Sequence, residues 1–352
     1  MSDQPLAVRN VLRRRSWGVF CLGLLGLLAS ACALVELPAA ATTPTPEYLP
    51  LAHAAALSPA MEGGGPADDA SAAPSPLPTP PRWGSGQSAP PPPATPTPAP
   101  PVLVRELPPP RITAEMAVVI DEASGAILYS RDEHREVAPA SLTKIVTAMV
   151  AIEQGDPAAR VAVDVDSRVM WDSTVMGLRP GEELSLEDLL YGLMLPSGND
   201  AAIAIARYIA GSEERFVDLM NAKVRQLGLQ HTHFANSHGL DDDAHYSSPY
   251  DMAMLARAAM RYPLFQRLAA AKEWEASGFL QSYRLVNLNR LLWRYPGADG
   301  VKIGYTPAAG RTMVASATRD GHRVYASFMR SRDLVADGTA LLDYAFGAYA
   351  WP

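Results

Sequence analysis

Ala138-Pro139-Ala140-Ser141-Leu142-Thr143-Lys144 opens the first helical stretch of a 352-residue chain, and the reading of the rest is built outward from it. Leu142, Ile145, Val146, Met149 and Ile152 recur at helical spacing, which predicts a helix over Leu142–Glu153. Ser141 and Lys144, three residues apart, share one face of that helix. A serine hydroxyl is a weak nucleophile until a base takes its proton, and a lysine buried beside it with a lowered pKa can take it. The helix N-terminus favours negative charge developing nearby. An N-capping serine followed by a surface lysine gives the same string, and Ser-x-x-Lys arises by chance in many chains of this length.

Upstream, Met116–Ile120 and Ile127–Tyr129 read as apolar strands joined by Asp121-Glu122-Ala123-Ser124-Gly125, a turn, and so as a hairpin. Downstream, Leu186–Met194, Asp200–Ile209, Glu213–Leu227 and Tyr250–Met260 have helical texture. The first two are parted at Pro196-Ser197-Gly198-Asn199, and Gly228 stops the third. Strand texture returns at Val301–Ile303, Thr312–Ala317 and Val324–Phe328, and Leu334–Tyr349 closes the chain as a helix. Strands at both ends with helices between them predict a mixed α/β domain. Its mainly antiparallel sheet is flanked by helices and carries a helical subdomain.

The domain is expected to start at residue 111. Of 32 prolines, 22 lie between Pro38 and Pro110. Residues 36–110 also have few large apolar side chains and read as a disordered linker. At ~3.1 Å per residue it would reach on the order of 200 Å. Before it, Arg13, Arg14 and Arg15 precede the uncharged run Trp17–Val35. Residues 1–35 therefore read as an export signal or a single membrane anchor that leaves the remainder outside the cytoplasm. Leu28-Ala29-Ser30-Ala31-Cys32 resembles a lipobox, so retention, cleavage and lipidation at Cys32 are all open.

The formal net charge is −7 and no basic patch stands out, which argues against a nucleic-acid partner. Both cysteines, Cys21 and Cys32, lie in the N-terminal apolar run, so residues 111–352 hold no disulfide, thiolate metal site or cysteine nucleophile. Of 30 basic residues only Lys144, Lys223, Lys272 and Lys302 are lysines. Lysine can give up its proton where arginine cannot. Two of the four stand in fragments with chemical potential.

The second such fragment is Ser197-Gly198-Asn199, where Ser197 could relay a proton and Asn199 could orient a lysine or a substrate amide. It is also ordinary loop chemistry. The third is Lys302-Ile303-Gly304, on a predicted strand and followed by Tyr305-Thr306. Gly304 lets a ligand approach the strand, and Lys302 could attract a carboxylate. His231-Thr232-His233, His238, His245 and Asp241-Asp242-Asp243 have the residue types of a metal site, yet they read as a polar loop.

In this order the fragments resemble the penicillin-binding serine peptidases, with their S-x-x-K, S-x-N and K-T-G motifs. Nearest among these are the D-alanyl-D-alanine carboxypeptidases, the low-molecular-mass penicillin-binding proteins. Pro139-Ala140-Ser141-Leu142-Thr143-Lys144, Leu195-Pro196-Ser197-Gly198-Asn199-Asp200-Ala201-Ala202 and Asn236-Ser237-His238-Gly239-Leu240 with His245-Tyr246-Ser247 carry the likeness. So do Asn287-Leu288-Asn289, Asp299-Gly300-Val301-Lys302 and Gly304-Tyr305-Thr306 with Ala309-Gly310. The resemblance implies a β-lactamase- or transpeptidase-like fold over 111–352, and no metal or cofactor. It implies that Ser141 attacks the bond between the terminal D-alanines of a peptidoglycan stem peptide, with Lys144 as base. Ser197 would help move protons, and Asn199, Lys302, Gly304, Tyr305 and Thr306 would line the substrate cleft. The backbone N–H groups of Ser141 and Tyr305 would form the oxyanion hole, and β-lactams would acylate Ser141 as covalent inhibitors.

Three departures qualify the resemblance. Ile303 stands where the family has a threonine or serine that binds the terminal carboxylate of the substrate. The chain stops at Pro352, without the β-rich C-terminal domain of many relatives, so the N-terminal segment is expected to act as the anchor. Arg330 and Arg332 are both candidates for the arginine that aids carboxylate binding. A β-lactamase would need an E-x-x-L-N string, which does not occur here. Cleavage of peptidoglycan cross-links by the same residues, or weak activity in a wall-binding protein, stay as alternatives.

Overall fold

The computed structural model describes residues 98–170 and 173–352. The expected signal or anchor over 1–35 and most of the expected linker lie outside them. Numbered in chain order, the strands are β1 Val102–Leu103, β2 Met116–Asp121, β3 Ile127–Arg131, β4 Arg160–Ala162, β5 Glu183–Ser185, β6 Glu273–Ser277, β7 Ser282–Val286, β8 Ala298–Thr306, β9 Gly310–Arg319, β10 His322–Ser331 and β11 Tyr349–Ala350. The helices are α1 Lys144–Gln154, α2 Leu186–Met194, α3 Asn199–Ala210, α4 Glu213–Gln226, α5 Pro249–Ala259, α6 Pro263–Ala270, α7 Leu291–Arg294 and α8 Leu334–Ala348.

A five-stranded antiparallel sheet in the order β3-β2-β10-β9-β8 joins the two ends of the domain, as the strand pattern predicts. Its strands alternate at period two between two cores. Along β10, Tyr325 and Met329 face the helical side, while Val324, Ala326 and Phe328 pack on the side of α8. On the helical side α1 is the central rod. Every residue from Lys144 to Ala151 is buried, as expected of a helix surrounded by others. Serine caps set the entries of its neighbours: Ser185, Ser212 and Ser248 accept from the N–H of Asp188, Arg215 and Asp251 at the starts of α2, α4 and α5.

The structure adds to the sequence reading and corrects it in places. The hairpin β6–β7, the pair β4–β5 and helix α6 were not legible, because they are short and partly charged. Trp274 of β6 is held by stacking on Tyr191 at 3.8 Å, a contact from a distant helix. The helix that opens at Ser141 starts as a 3₁₀ turn, Ala140–Thr143, and becomes α-helical only at Lys144. The composition boundary at residue 110 also moves. Val102 pairs with Ala350, and the N–H groups of Val104 and Arg105 donate to Ala348 O at 2.9 and 3.1 Å. Val102-Leu103-Val104 has no proline, so it keeps the donors that a strand needs.

Among the described residues strand β8 is the sheet edge, paired only with β9. The 3₁₀ turn carrying Ser141 packs directly on it. That edge, the start of α1 and the start of α3 enclose the candidate site.

Candidate active site

The turn before Ser141 is held in an unusual shape. Ala140 has φ 53, a left-handed conformation that costs an L-residue roughly 1–2 kcal/mol. Its neighbours compensate. Pro139 O accepts from Thr312 Oγ1 of β9 at 3.0 Å, and Ala140 O accepts from Thr143 Oγ1 at 2.8 Å. Gly304 of β8 and Gly239 lie where a Cβ would collide: one on Gly304 would come within 2.8 Å of the Ser141 amide nitrogen. The turn leaves Ser141 partly exposed while Lys144, one helical turn on, is fully buried.

The Lys144 amine sits among three oxygens: Ser141 Oγ at 3.0 Å, Asn199 Oδ1 at 2.5 Å and His238 O at 2.6 Å. Burial, and then the nearby charge of Lys302, push its pKa well below the usual lysine range against a smaller pull from Asp200. A neutral amine has two N–H donors and one lone pair. In its neutral form, with the two donors given to Asn199 and to His238 O, the amine turns its lone pair toward the Ser141 hydroxyl. The sequence spacing placed Ser141 beside Lys144; the two other partners come from 55 and 94 residues away.

The loop presenting the His238 carbonyl is clamped from below. Thr147 Oγ1 donates to Ser237 O at 2.6 Å, and Glu213 accepts from the Ser237 N–H and hydroxyl at 3.0 and 2.6 Å. The His238 ring is pushed down to about 4, by burial first, with Glu213 pulling upward and Lys144 pushing downward.

Asn199 begins α3, and its Nδ2 donates to Ser173 Oγ at 2.5 Å, which turns its Oδ1 toward Lys144. Next to it, buried Asp200 accepts from the N–H groups of Met176, Gly177 and Leu178, each at 2.9 Å, and from Ala201. This carboxylate fastens the loop that carries Ser173. Ser197 has φ 65 and is 4% exposed, and its hydroxyl has no hydrogen-bond partner among the described residues. Lys302, also buried, is pushed down to about 7 by desolvation, with only Ile303 O, at 3.2 Å, as its partner among the described residues.

The remaining expected residues divide. Gly304 lies against the Ser141 amide, and Tyr305 stands exposed beside it on the strand. The Thr306 hydroxyl is committed elsewhere. It donates to Asp241 Oδ1 at 2.5 Å and accepts from Ala309 N–H at 3.1 Å, which builds the β8–β9 turn. Ile303 lies opposite Met313 and packs partly against the core on the α8 side. Arg330 reaches Glu115 at 3.4 Å, whereas Arg332 lines a concavity with Arg290, Arg294 and Arg311 at the start of α8. The histidines that read as a polar loop are dispersed: His231 meets Glu136, His233 meets Ala244 O, and His245 meets Thr143. Among the groups not anticipated, Ser173 has no sequence signal, while the contribution of His238 is a backbone carbonyl that any residue could supply.

The sequence pattern of the family described as D-alanyl-D-alanine carboxypeptidase matches residues 104–332. The chain is 38% identical over 245 residues to the D-alanyl-D-alanine carboxypeptidase DacF of Bacillus subtilis, covering 67% of this chain and 63% of that protein. It is 38% identical over 253 residues to DacA of Escherichia coli, covering 67% and 62%. The chain thus spans slightly less than two thirds of the length of these relatives. Among solved structures it resembles a Streptomyces DD-transpeptidase at 31% identity, with TM-score 0.65, covering 68% of this chain and 100% of that one. A penicillin-binding protein homologue of Mycobacterium tuberculosis gives 33% identity and TM-score 0.66, covering 70% and 95%. A match over nearly two thirds of the chain, and a fold shared with these peptidases, agree with the Ser141–Lys144 geometry: the chain belongs to the D-alanyl-D-alanine carboxypeptidase family.

Proposed function

We propose that the chain is a serine D-alanyl-D-alanine carboxypeptidase that removes the terminal D-alanine from peptidoglycan stem peptides. The observation that carries this reading is the Lys144 amine, desolvated and 3.0 Å from Ser141 Oγ, with its other two contacts on acceptors. Ser141 Oγ forms a bond to the carbonyl carbon between the two D-alanines while its proton passes to Lys144. The developing oxyanion is met by the backbone N–H groups of Ser141 and Tyr305, a role supported by the close approach of Gly304 to the Ser141 amide. Collapse breaks the C–N bond, and the leaving amine takes the proton. Buried, unpartnered Ser197 suits a relay in that transfer. Water then attacks the ester, with Lys144 again as base, and frees Ser141.

Asn199 and Lys302 line the cleft by the same reading, and a β-lactam, whose strained amide mimics the substrate, acylates Ser141. The chemistry takes place outside the cytoplasm. Residues 1–35 hold the protein at the membrane, and the proline-rich segment after them lets the domain reach its polymer.

Labelled penicillin tests all of this. The full chain should be labelled once, at Ser141, and Ser141→Ala should take no label. In fractionated cells the labelled protein should stay with membranes and leave them when Trp17–Val35 is deleted. Products from purified muropeptides then separate carboxypeptidase action, which yields free D-alanine, from cross-link cleavage, which yields none. Unlabelled wild-type protein would sink the enzymatic reading.

A further inference from the structure

A buried chain of hydrogen bonds runs from the turn before Ser141 to the loop that holds Lys144. It begins at the left-handed Ala140, whose carbonyl takes the proton of Thr143 Oγ1 at 2.8 Å. That hydroxyl has one proton to give, so its 2.7 Å contact with His245 Nε2 is a donation from the ring. The opposite ring nitrogen agrees: Nδ1 lies 3.0 Å from the Ala235 N–H and so accepts. Only the neutral tautomer with its proton on Nε2 meets both demands. Burial holds the imidazole at about 4, so it stays neutral at ordinary pH. His245 is 3% exposed and Thr143 0%, so water does not compete for these bonds.

Both ends of this chain bear on the site. Ala140 sets the direction of Ser141. Ala235 opens the loop 235–239, whose His238 carbonyl accepts from the Lys144 amine at 2.6 Å. We infer that His245 is a positioning residue for acylation: through Thr143 it holds the turn that presents Ser141, and through Ala235 it registers the loop that orients Lys144. It touches neither the substrate nor the reacting atoms. The inference rests on the reading of Ser141 as nucleophile. A histidine packed against Phe234 at 5.4 Å could instead serve only to fill the core, and the test must separate the two roles.

The test uses the full chain and a fluorescent penicillin. It reads separately the fraction of chains labelled at saturation and the second-order rate of labelling. The first reports how much protein is folded, and the second how well Ser141 and Lys144 are placed. His245→Leu and Thr143→Val should each slow labelling roughly tenfold at unchanged stoichiometry, the worth of about one hydrogen bond. The double variant should be no slower than the slower single one, because both changes break the same chain. His245→Gln, whose amide can still donate to Thr143, should recover most of the rate. A wild-type rate in His245→Leu overturns the inference. So does an additive double variant together with a glutamine variant as slow as the leucine one, since loss of packing alone would give that pattern. If His245→Leu fails to fold, Thr143→Val and His245→Gln decide: a wild-type rate in the first, or a leucine-like loss of folding in the second, overturns it. If wild-type protein takes no label, the nucleophile reading falls first and the inference with it.

Discussion

Lys144 and Ile303 show how much a single side chain settles. Lys144 is held by one side-chain amide oxygen, one backbone carbonyl and one hydroxyl, in a place where burial keeps water out. The sequence alone could pair Ser141 with Lys144 by helical spacing, and the scarcity of lysine singled out Lys302 as well. Ile303 has the opposite character. It sits between Lys302 and Gly304 on β8, and its side chain can make no hydrogen bond. Ile303→Thr supplies a hydroxyl at the position where the family resemblance puts a carboxylate ligand. D-alanine release from a pentapeptide should then rise roughly 10- to 150-fold, the value of one hydrogen bond to a charged group. Because Ile303 also packs on the α8-side core, the same change should cost about 1 kcal/mol of stability, read in a denaturant titration. An unchanged release rate would show that the strand does not bind the carboxylate at this position.

At the scale of the element, the decisive piece is the edge strand β8. An edge has backbone groups to offer, and here the turn that carries Ser141 packs on it. The approach is tight enough to exclude any side chain at residue 304: an added Cβ would lie 2.6 Å from Thr312 Oγ1 and 2.8 Å from the Ser141 amide nitrogen. Gly304→Ala must therefore push the strand and the turn apart. Penicillin labelling should fall at least a hundredfold, the usual loss when one oxyanion donor is misplaced. The far-UV spectrum should stay that of the wild type, because β8 keeps its pairing with β9. Labelling within threefold of wild type would mean that the turn and the strand yield more easily than their contacts imply. The glycine itself was legible as a close-approach position, but what approaches it was not: Ser141 is 163 residues away in sequence and is brought there by α1 lying under the sheet.

At the scale of the whole molecule, the site carries a cost in stability. Lys302 is buried, and desolvation lowers its pKa to about 7, below its unfolded value near 10.5. A lowered folded-state pKa means that the unfolded chain binds the proton more tightly. The penalty is therefore fully present below about pH 7 and is relieved as pH rises from about 7 toward 10.5. Lys302→Met should accordingly stabilise the protein by a few kcal/mol at pH 6 and by much less at pH 9.5, in denaturant titrations at the two values. A stabilisation independent of pH would show that the lysine finds water in the folded state. The sequence by itself determined the class of the fold, the strands of the central sheet, the closing helix, and the placing of Ser141 and Lys144 on one helical face. These rest on local periodicity and on i, i+3 spacing, which a linear string records. Only the tertiary structure decided that His238 supplies a carbonyl to the Lys144 amine, that Asp200 fastens the loop carrying Ser173, that the Thr306 hydroxyl serves a turn, and that His245 bonds to both Thr143 and Ala235. Each of these depends on backbone groups, or on contacts between residues far apart in the chain. Their geometry is set by how α1, α3 and the sheet edge pack together, and residue types in sequence carry no record of that packing.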